Sequence, residues 1–258
     1  MPNVLADRYA SSEMVDIFDP ANRIRLERRF WIAVLKAQID LGLSVPDGAV
    51  AAYESVVDQV DLESIRDRDR QLKHDVKARI EEFNYLAGFQ EIHKGLTSRD
   101  LTENVEQLMI WRALELVEFR TYSILTALAE RAAEFAATTM VGRTHNVAAQ
   151  PTTLGKRFAQ VGEELLGGFR QLSDLRSSFA LRGIKGPVGS QQDQIDLLGS
   201  VEAVEAMESD LARQLGIPRN LNAVGQVYPR SLDYSVVAVL LALSSGPANL
   251  ALTIRLMA

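Results

Sequence analysis

The sequence predicts an all-α protein, with a small N-terminal helical domain followed by the long helices of a central bundle. Three observations point there. Apolar residues return to one helix face over unusually long stretches: Leu101, Val105, Leu108, Leu116 and Phe119, then Leu125, Leu128, Ala132 and Phe135. Neither proline nor glycine interrupts the stretch from Thr97 to Val141, which would make one rod of about 40 residues, roughly 60 Å long. Sustained apolar alternation, rich in β-branched residues and bounded by hairpin turns, is nearly absent.

In chain order, Asp19-Pro20 is a helix start, with the acid as cap and proline at the first position. Gly42 ends that helix, which carries Trp31, Val34, Leu35 and Leu41. Pro46-Asp47 starts another. Short helices are expected over 49–57 and 61–68, then a longer one over 75–86 stopped near Gly88. Composition shifts near Gly95, where short helices give way to rods. The expected domains are therefore 1–97 and 98–258.

A polar turn, Gly142 to Thr153, follows the first rod, and Pro151 and Thr152 start the second, which carries Leu154, Phe158, Val161, Leu165, Phe169, Leu172 and Leu175. The glycine-rich break Arg182 to Ser190 separates it from a helix over 201–215, ended by Gly216 and Pro218. The last helix begins after Pro229-Arg230 and runs past Gly246-Pro247 to Leu256. Nothing in Arg255-Leu256-Met257-Ala258 stops it, so the natural protein is expected to continue.

Composition narrows the function classes. With 258 residues, 47% of them apolar, the chain can bury a substantial core. A formal charge of -6 without a dominant basic stripe argues against general nucleic-acid or anionic-membrane binding. There is no cysteine, which removes disulfides and thiolate metal sites and suits a reducing cytoplasm. The first residues lack a signal peptide's basic start and apolar run. The longest apolar run, Val236 to Leu243, is shorter than a bilayer span of about 20 residues and reads as bundle core.

All three histidines fall within or beside short polar stretches. Lys73-His74-Asp75 opens a helix, where aspartate alone would serve as a cap. In His93-Lys94-Gly95-Leu96-Thr97-Ser98-Arg99-Asp100, the Thr97-x-x-Asp100 spacing is that of a capping box. Capping leaves the histidine and the two basic residues beside it unexplained. A helix N-terminus with two hydroxyls is also a seat for phosphate or carboxylate. At the turn, Arg143 can pair with a carboxylate, Thr144 can donate to one, and the His145 imidazole titrates near neutrality. Three scattered histidines without a ligand spacing make a metal site a poor reading, and neither a P-loop nor a nucleophile elbow is present.

These blocks carry a resemblance. His93-x-Gly95-Leu96-Thr97-Ser98-x-Asp100, and Gly142-Arg143-Thr144-His145 followed by Ala149-x-Pro151-Thr152-Thr153, resemble the first two blocks of the fumarase/aspartase superfamily. Within it, Lys73-His74-Asp75-Val76, Asp7-Arg8-Tyr9 and Gly225-Gln226 through Arg230 are similar to the adenylosuccinate lyase family. The resemblance runs from Arg8 to the end of the chain. Lys73 stands where arginine is frequent, Asn146 where glycine is, and Gln150 where glutamate is.

The resemblance implies β-elimination of fumarate from adenylosuccinate, giving AMP, and from the succinylaminoimidazolecarboxamide ribotide of purine synthesis. His145 would be the general acid and His74 its supporting histidine. Thr97 and Ser98 would be substrate-anion ligands and Thr144 would lie beside the carboxylate; Arg8 and Tyr9 would bind phosphate with His93 near it, and Lys73, Asp75, Gln226 and Arg230 would make further substrate contacts. No cofactor or metal is implied. The family assembles as a homotetramer whose sites take residues from three subunits, and its serine-rich loop bearing the catalytic base would lie beyond Ala258, so the fragment alone is expected to be inactive. Two rivals share the long helices: a sister lyase acting on argininosuccinate or carboxymuconate, and a non-catalytic helical interaction module.

Overall fold

The computed structural model describes residues 3–257, so the last residue of the helix expected to continue, Ala258, lies outside it. The architecture is all-α in class. The N-terminal segment opens with two short helices that the sequence did not announce, α1 (Val4–Tyr9) and α2 (Ser12–Phe18). Helix α3 (Pro20–Asp40) starts as expected: the Asp19 carboxylate accepts the N–H groups of Ala21 and Asn22, and Pro20 takes the first position. By contrast, Pro46-Asp47 starts no helix. Gly48, at φ 82, turns the chain first, and α4 (Ala49–Val56) follows without a side-chain cap. Helix α5 (Leu62–Leu72) is capped by Asp61. Helix α6 (Asp75–Ala87) ends at Gly88, whose left-handed φ of 74 suits glycine.

The first rod, α7 (Ser98–Glu134), is 37 residues long and stops before Val141. In place of its expected last turns the chain forms a β-hairpin, β1 (Thr139–Thr144) against β2 (Val147–Thr153). The two-residue loop His145-Asn146 has φ values of 50 and 63, the left-handed pair required by a type I′ turn. Pro151 therefore lies in a strand, opposite Val141. The start of α8 (Leu154–Ser178) is marked instead by Thr153, whose hydroxyl accepts the Lys156 N–H at 3.2 Å. Strand β3 (Ala180–Leu181) pairs in parallel with β4 (Arg219–Asn220), and between them lie α9 (Gln192–Leu198) and α10 (Val201–Leu215). The chain ends in α11 (Ser231–Met257), which continues through Pro247.

Contacts divide the chain into two compact units. One comprises the residues up to Ala113 with Phe179–Pro229. Trp31, Tyr53 and Phe83 stand at its centre, with ring centroids 6.3 Å apart for Trp31–Phe83 and 4.9 Å for Tyr53–Phe83. Two ion pairs join α3 to α6 in this interior, Arg28–Glu82 at 2.5 Å and Arg79–Glu27. Replacing such a pair's partner by a neutral side chain would strand a buried charge.

The other unit comprises Leu114–Ser178 and the residues from Arg230 onward. Here α8 packs on α11, with Gly168 against Leu243 and Gly246 against Val161 and Leu165. Approach is close: a Cβ on Gly168 would stand 3.1 Å from the Leu243 amide nitrogen. Helix α11 buries only Val239, Leu243 and Gly246, while Tyr234, Val237, Leu241 and Leu252 lie exposed. Its bounds are those expected from the sequence, from just after Arg230 to beyond Leu256. By length and composition alone it could cross a membrane.

Candidate active site

In the first unit, His74 is the N-cap of α6, and its Nδ1 accepts the Lys77 N–H at 3.2 Å. An N–H can be accepted only by an unprotonated nitrogen, so the neutral ring carries its proton on Nε2. Lys73 ends α5 in the left-handed region at φ 55, which turns the chain sharply into His74. The Asp75 carboxylate pairs with Arg79, which reaches on to buried Glu27 in α3. Burial pushes the Glu27 carboxyl above its ordinary range, and the Arg79 and Arg23 charges oppose that shift. The exposed Lys73-His74-Asp75 corner is thereby tied to the core through one arginine.

His93 lies on the loop between α6 and α7, half-buried, with φ 67. The Trp31 indole donates to its Nδ1 at 2.9 Å, and the two rings meet edge to face at 82°. Its pKa falls to about 4, first through burial and then through the neighbouring His74 and Lys77. Amides fix the rest of the loop: Gln38 donates to the Lys94 carbonyl at 3.0 Å, and Gln194 to the Gly95 carbonyl at 2.7 Å. Gly95 has φ 65, and a Cβ there would come within 2.6 Å of Gln194 Nε2. His74 and His93 thus each have Nδ1 occupied.

Thr97 and Ser98 stand at the start of α7. The Asp100 carboxylate accepts the Thr97 N–H at 2.8 Å, as a capping box requires. Its other oxygen does more. It takes the Arg182 guanidinium and the N–H groups of Lys185 and Gly186, the latter two at 2.9 and 3.0 Å. Farther along the same face, Asn104 bonds both the N–H and the carbonyl of Gly183, and Gln107 bonds the Arg182 N–H and the Ala180 carbonyl. Glu103 accepts the Tyr228 N–H at 3.0 Å.

All four α7 side chains are fully buried. Sequence reasoning missed this stripe because polar residues at helical spacing read as a solvated face. Its purpose is to hold the Arg182–Gly186 turn and the 225–228 loop. Gln226, exposed, is presented between two anchors, since the Gly225 carbonyl accepts Arg182 Nε at 3.2 Å. Arg8 and Tyr9 end α1 on the surface, the guanidinium 5.6 Å from the ring centroid.

The second unit holds Thr144, His145 and Arg230. Thr144 and His145 are exposed at the hairpin tip, where the Asn146 carbonyl accepts the Arg143 guanidinium at 3.1 Å. Arg230 precedes α11 and pairs with Asp233 at 3.7 Å. Of the twelve residues singled out from sequence, then, the structure gathers His74, His93 and their flanking residues in one unit and sets Thr144 and His145 on a projecting strand turn in the other. Among the described residues no group of three or more His, Asp or Glu side chains is arranged to hold a metal ion.

The arrangement can donate hydrogen bonds from neutral imidazoles to an oxyanion, and an exposed imidazole can deliver a proton. Comparisons with known proteins bear on which chemistry this serves. The lyase family pattern matches residues 11–193. Adenylosuccinate lyase of Saccharomyces cerevisiae is 32% identical over 260 residues, covering 98% of this chain and 54% of that protein. Among solved structures, fumarate lyase from Mesorhizobium sp. BNC1 is similar with a TM-score of 0.81 at 23% identity, over 96% of this chain and 57% of that one. The β-carboxy-cis,cis-muconate cycloisomerase of Acinetobacter calcoaceticus gives 0.82 at 19% identity, over 99% and 59%. These two likenesses speak to the fold alone. The chain spans about half the length of the curated relatives it matches.

Proposed function

We propose that this chain, which belongs to the lyase family, carries part of a site for β-elimination of the adenylosuccinate lyase type. Its substrates are adenylosuccinate and the succinylaminoimidazolecarboxamide ribotide, and fumarate leaves from each. The supporting observation is the 32% identity to an adenylosuccinate lyase over 98% of the chain, far more than one motif could produce.

In this reading His145 gives a proton to the departing nitrogen as the carbon–nitrogen bond breaks, with His74 supporting it. Thr97, Ser98 and Thr144 donate to the carboxylate beside the carbon that loses its proton, stabilising the charge that develops there. Arg8, Tyr9, His93, Lys73 and Arg230 serve the phosphate and remaining anionic groups, and Asp75 and Gln226 complete the contacts. No residue of this chain is assigned to removing the carbon-bound proton, and no cofactor takes part. The enzyme works in the cytoplasm as a homotetramer with shared sites. The exposed apolar face of α11 supports assembly rather than a membrane span, because Ser244, Ser245 and Asn249 interrupt its apolar sequence and α8 already covers one side.

The test is turnover of adenylosuccinate by the protein expressed from its complete reading frame, beside its His145→Gln variant. Loss of roughly 10²–10⁴-fold in kcat is expected for a missing general acid. Unchanged turnover would remove His145 from the mechanism. Preference for argininosuccinate or carboxymuconate would move the protein to a sister activity.

A further inference from the structure

The Trp31–His93 contact has no role in the mechanism above. Trp31 is 1% exposed in the middle of α3, and its ring lies against Phe83 at a centroid distance of 6.3 Å, which fixes the direction of its N–H. An indole nitrogen can donate but never accept. Its partner, His93 Nδ1 at 2.9 Å, must therefore be the unprotonated nitrogen.

From this geometry we propose that Trp31 is a positioning residue. Its indole locks His93 in the Nε2–H tautomer, so that the imidazole meets a substrate oxyanion as a neutral donor and takes no proton itself. This rests on the reading of His93 as a substrate contact. Protonating Nδ1 would break the indole bond and place a cation in a half-buried site beside His74 and Lys77, with the Lys94–Glu91 pair on the same loop. His74 is held the same way by the Lys77 N–H. At each ring Nδ1 accepts, which leaves Nε2 to donate. An Nε2–H donor at His93 binds an oxyanion without having to be charged first, which separates this contact from the proton transfer assigned to His145.

Only three histidines are present, so [15N]histidine labelling resolves each ring, with His74→Gln and His145→Gln variants supplying the assignment. In the unliganded protein, His93 should show an unprotonated Nδ1 and a protonated Nε2. Trp31→Phe removes the donor and should leave a mixture of tautomers. Inorganic phosphate, the probe, should then bind roughly three- to tenfold more weakly, the loss expected for a misdirected hydrogen bond. Should Trp31→Phe fold poorly, replacing the two tryptophans biosynthetically with benzothienylalanine keeps the shape and deletes the N–H.

A protonated Nδ1 in the wild-type protein, or a tautomer unchanged by the loss of the indole donor, would overturn the lock and leave the proposed reaction standing. A changed tautomer with unchanged phosphate affinity would overturn the proposal from the other side, by removing His93 from the substrate site. The His145→Gln assay stays independent of both.

Discussion

Asp100 is fully buried beside an equally buried Arg182, and each satisfies the other's charge. Asp100→Ala would leave the guanidinium unpaired in the interior and also release the N–H groups of Thr97, Lys185 and Gly186. A loss of about 3–5 kcal/mol is expected, measured by denaturant unfolding; a loss under 1 kcal/mol would mean that water reaches the arginine. A second prediction concerns His93. In the unfolded chain its imidazole titrates near 6.5, and in the folded protein near 4. Between those values the unfolded state holds a proton that the native state does not, so stability should fall as pH drops through this window. His93→Gln should flatten that slope, and equal slopes in the two proteins would count against the buried neutral ring. Histidines 74, 93 and 145 stood out in the sequence through their polar neighbours. Trp31 did not, because it looks like any apolar helix residue until the fold brings it against a loop about sixty residues away.

At the scale of elements, the hairpin is the instructive miss. Nothing between Thr97 and Val141 breaks a helix, and the turn is His-Asn rather than the Asn-Gly that signals a two-residue hairpin most strongly. The cue was Thr139, Val141 and Thr144 on one strand and Val147, Thr152 and Thr153 on the other, β-branched residues too few to outweigh a long periodic run. Since Asn146 has φ 63, Asn146→Gly should leave the strands paired, whereas Asn146→Val should cost about 1–2 kcal/mol and raise amide exchange across β1 and β2. Equal exchange in both variants would argue against the left-handed turn. The helix pair α8 and α11 allows a comparable test. Gly168→Val must push Leu243 and its backbone aside, and a destabilisation of about 1–3 kcal/mol is expected from thermal unfolding. The helices themselves were legible wherever caps and apolar spacing agreed, as at Asp19-Pro20 and Gly88.

For the molecule as a whole, the sequence could announce rods but not which distant segments return to which. Residues 179–229 rejoin the first unit through buried amides and carboxylates, and such pairing leaves no periodic trace. The exposed apolar residues of α11 make a prediction at this scale. If that face is covered by other copies of the protein, Val237→Glu with Leu241→Glu should lower the mass seen in sedimentation, and an unchanged mass would remove α11 from the assembly. The polar stripe of α7 has another consequence. Asp100, Glu103, Asn104 and Gln107 each answer particular carbonyl, amide or guanidinium groups on the loops around them. Sliding the helix by a single residue would mismatch all four at once, so the rod is indexed like a key with four teeth. Insertions or deletions should therefore be admitted at the hairpin tip and refused between Asp100 and Gln107, however apolar the inserted residue.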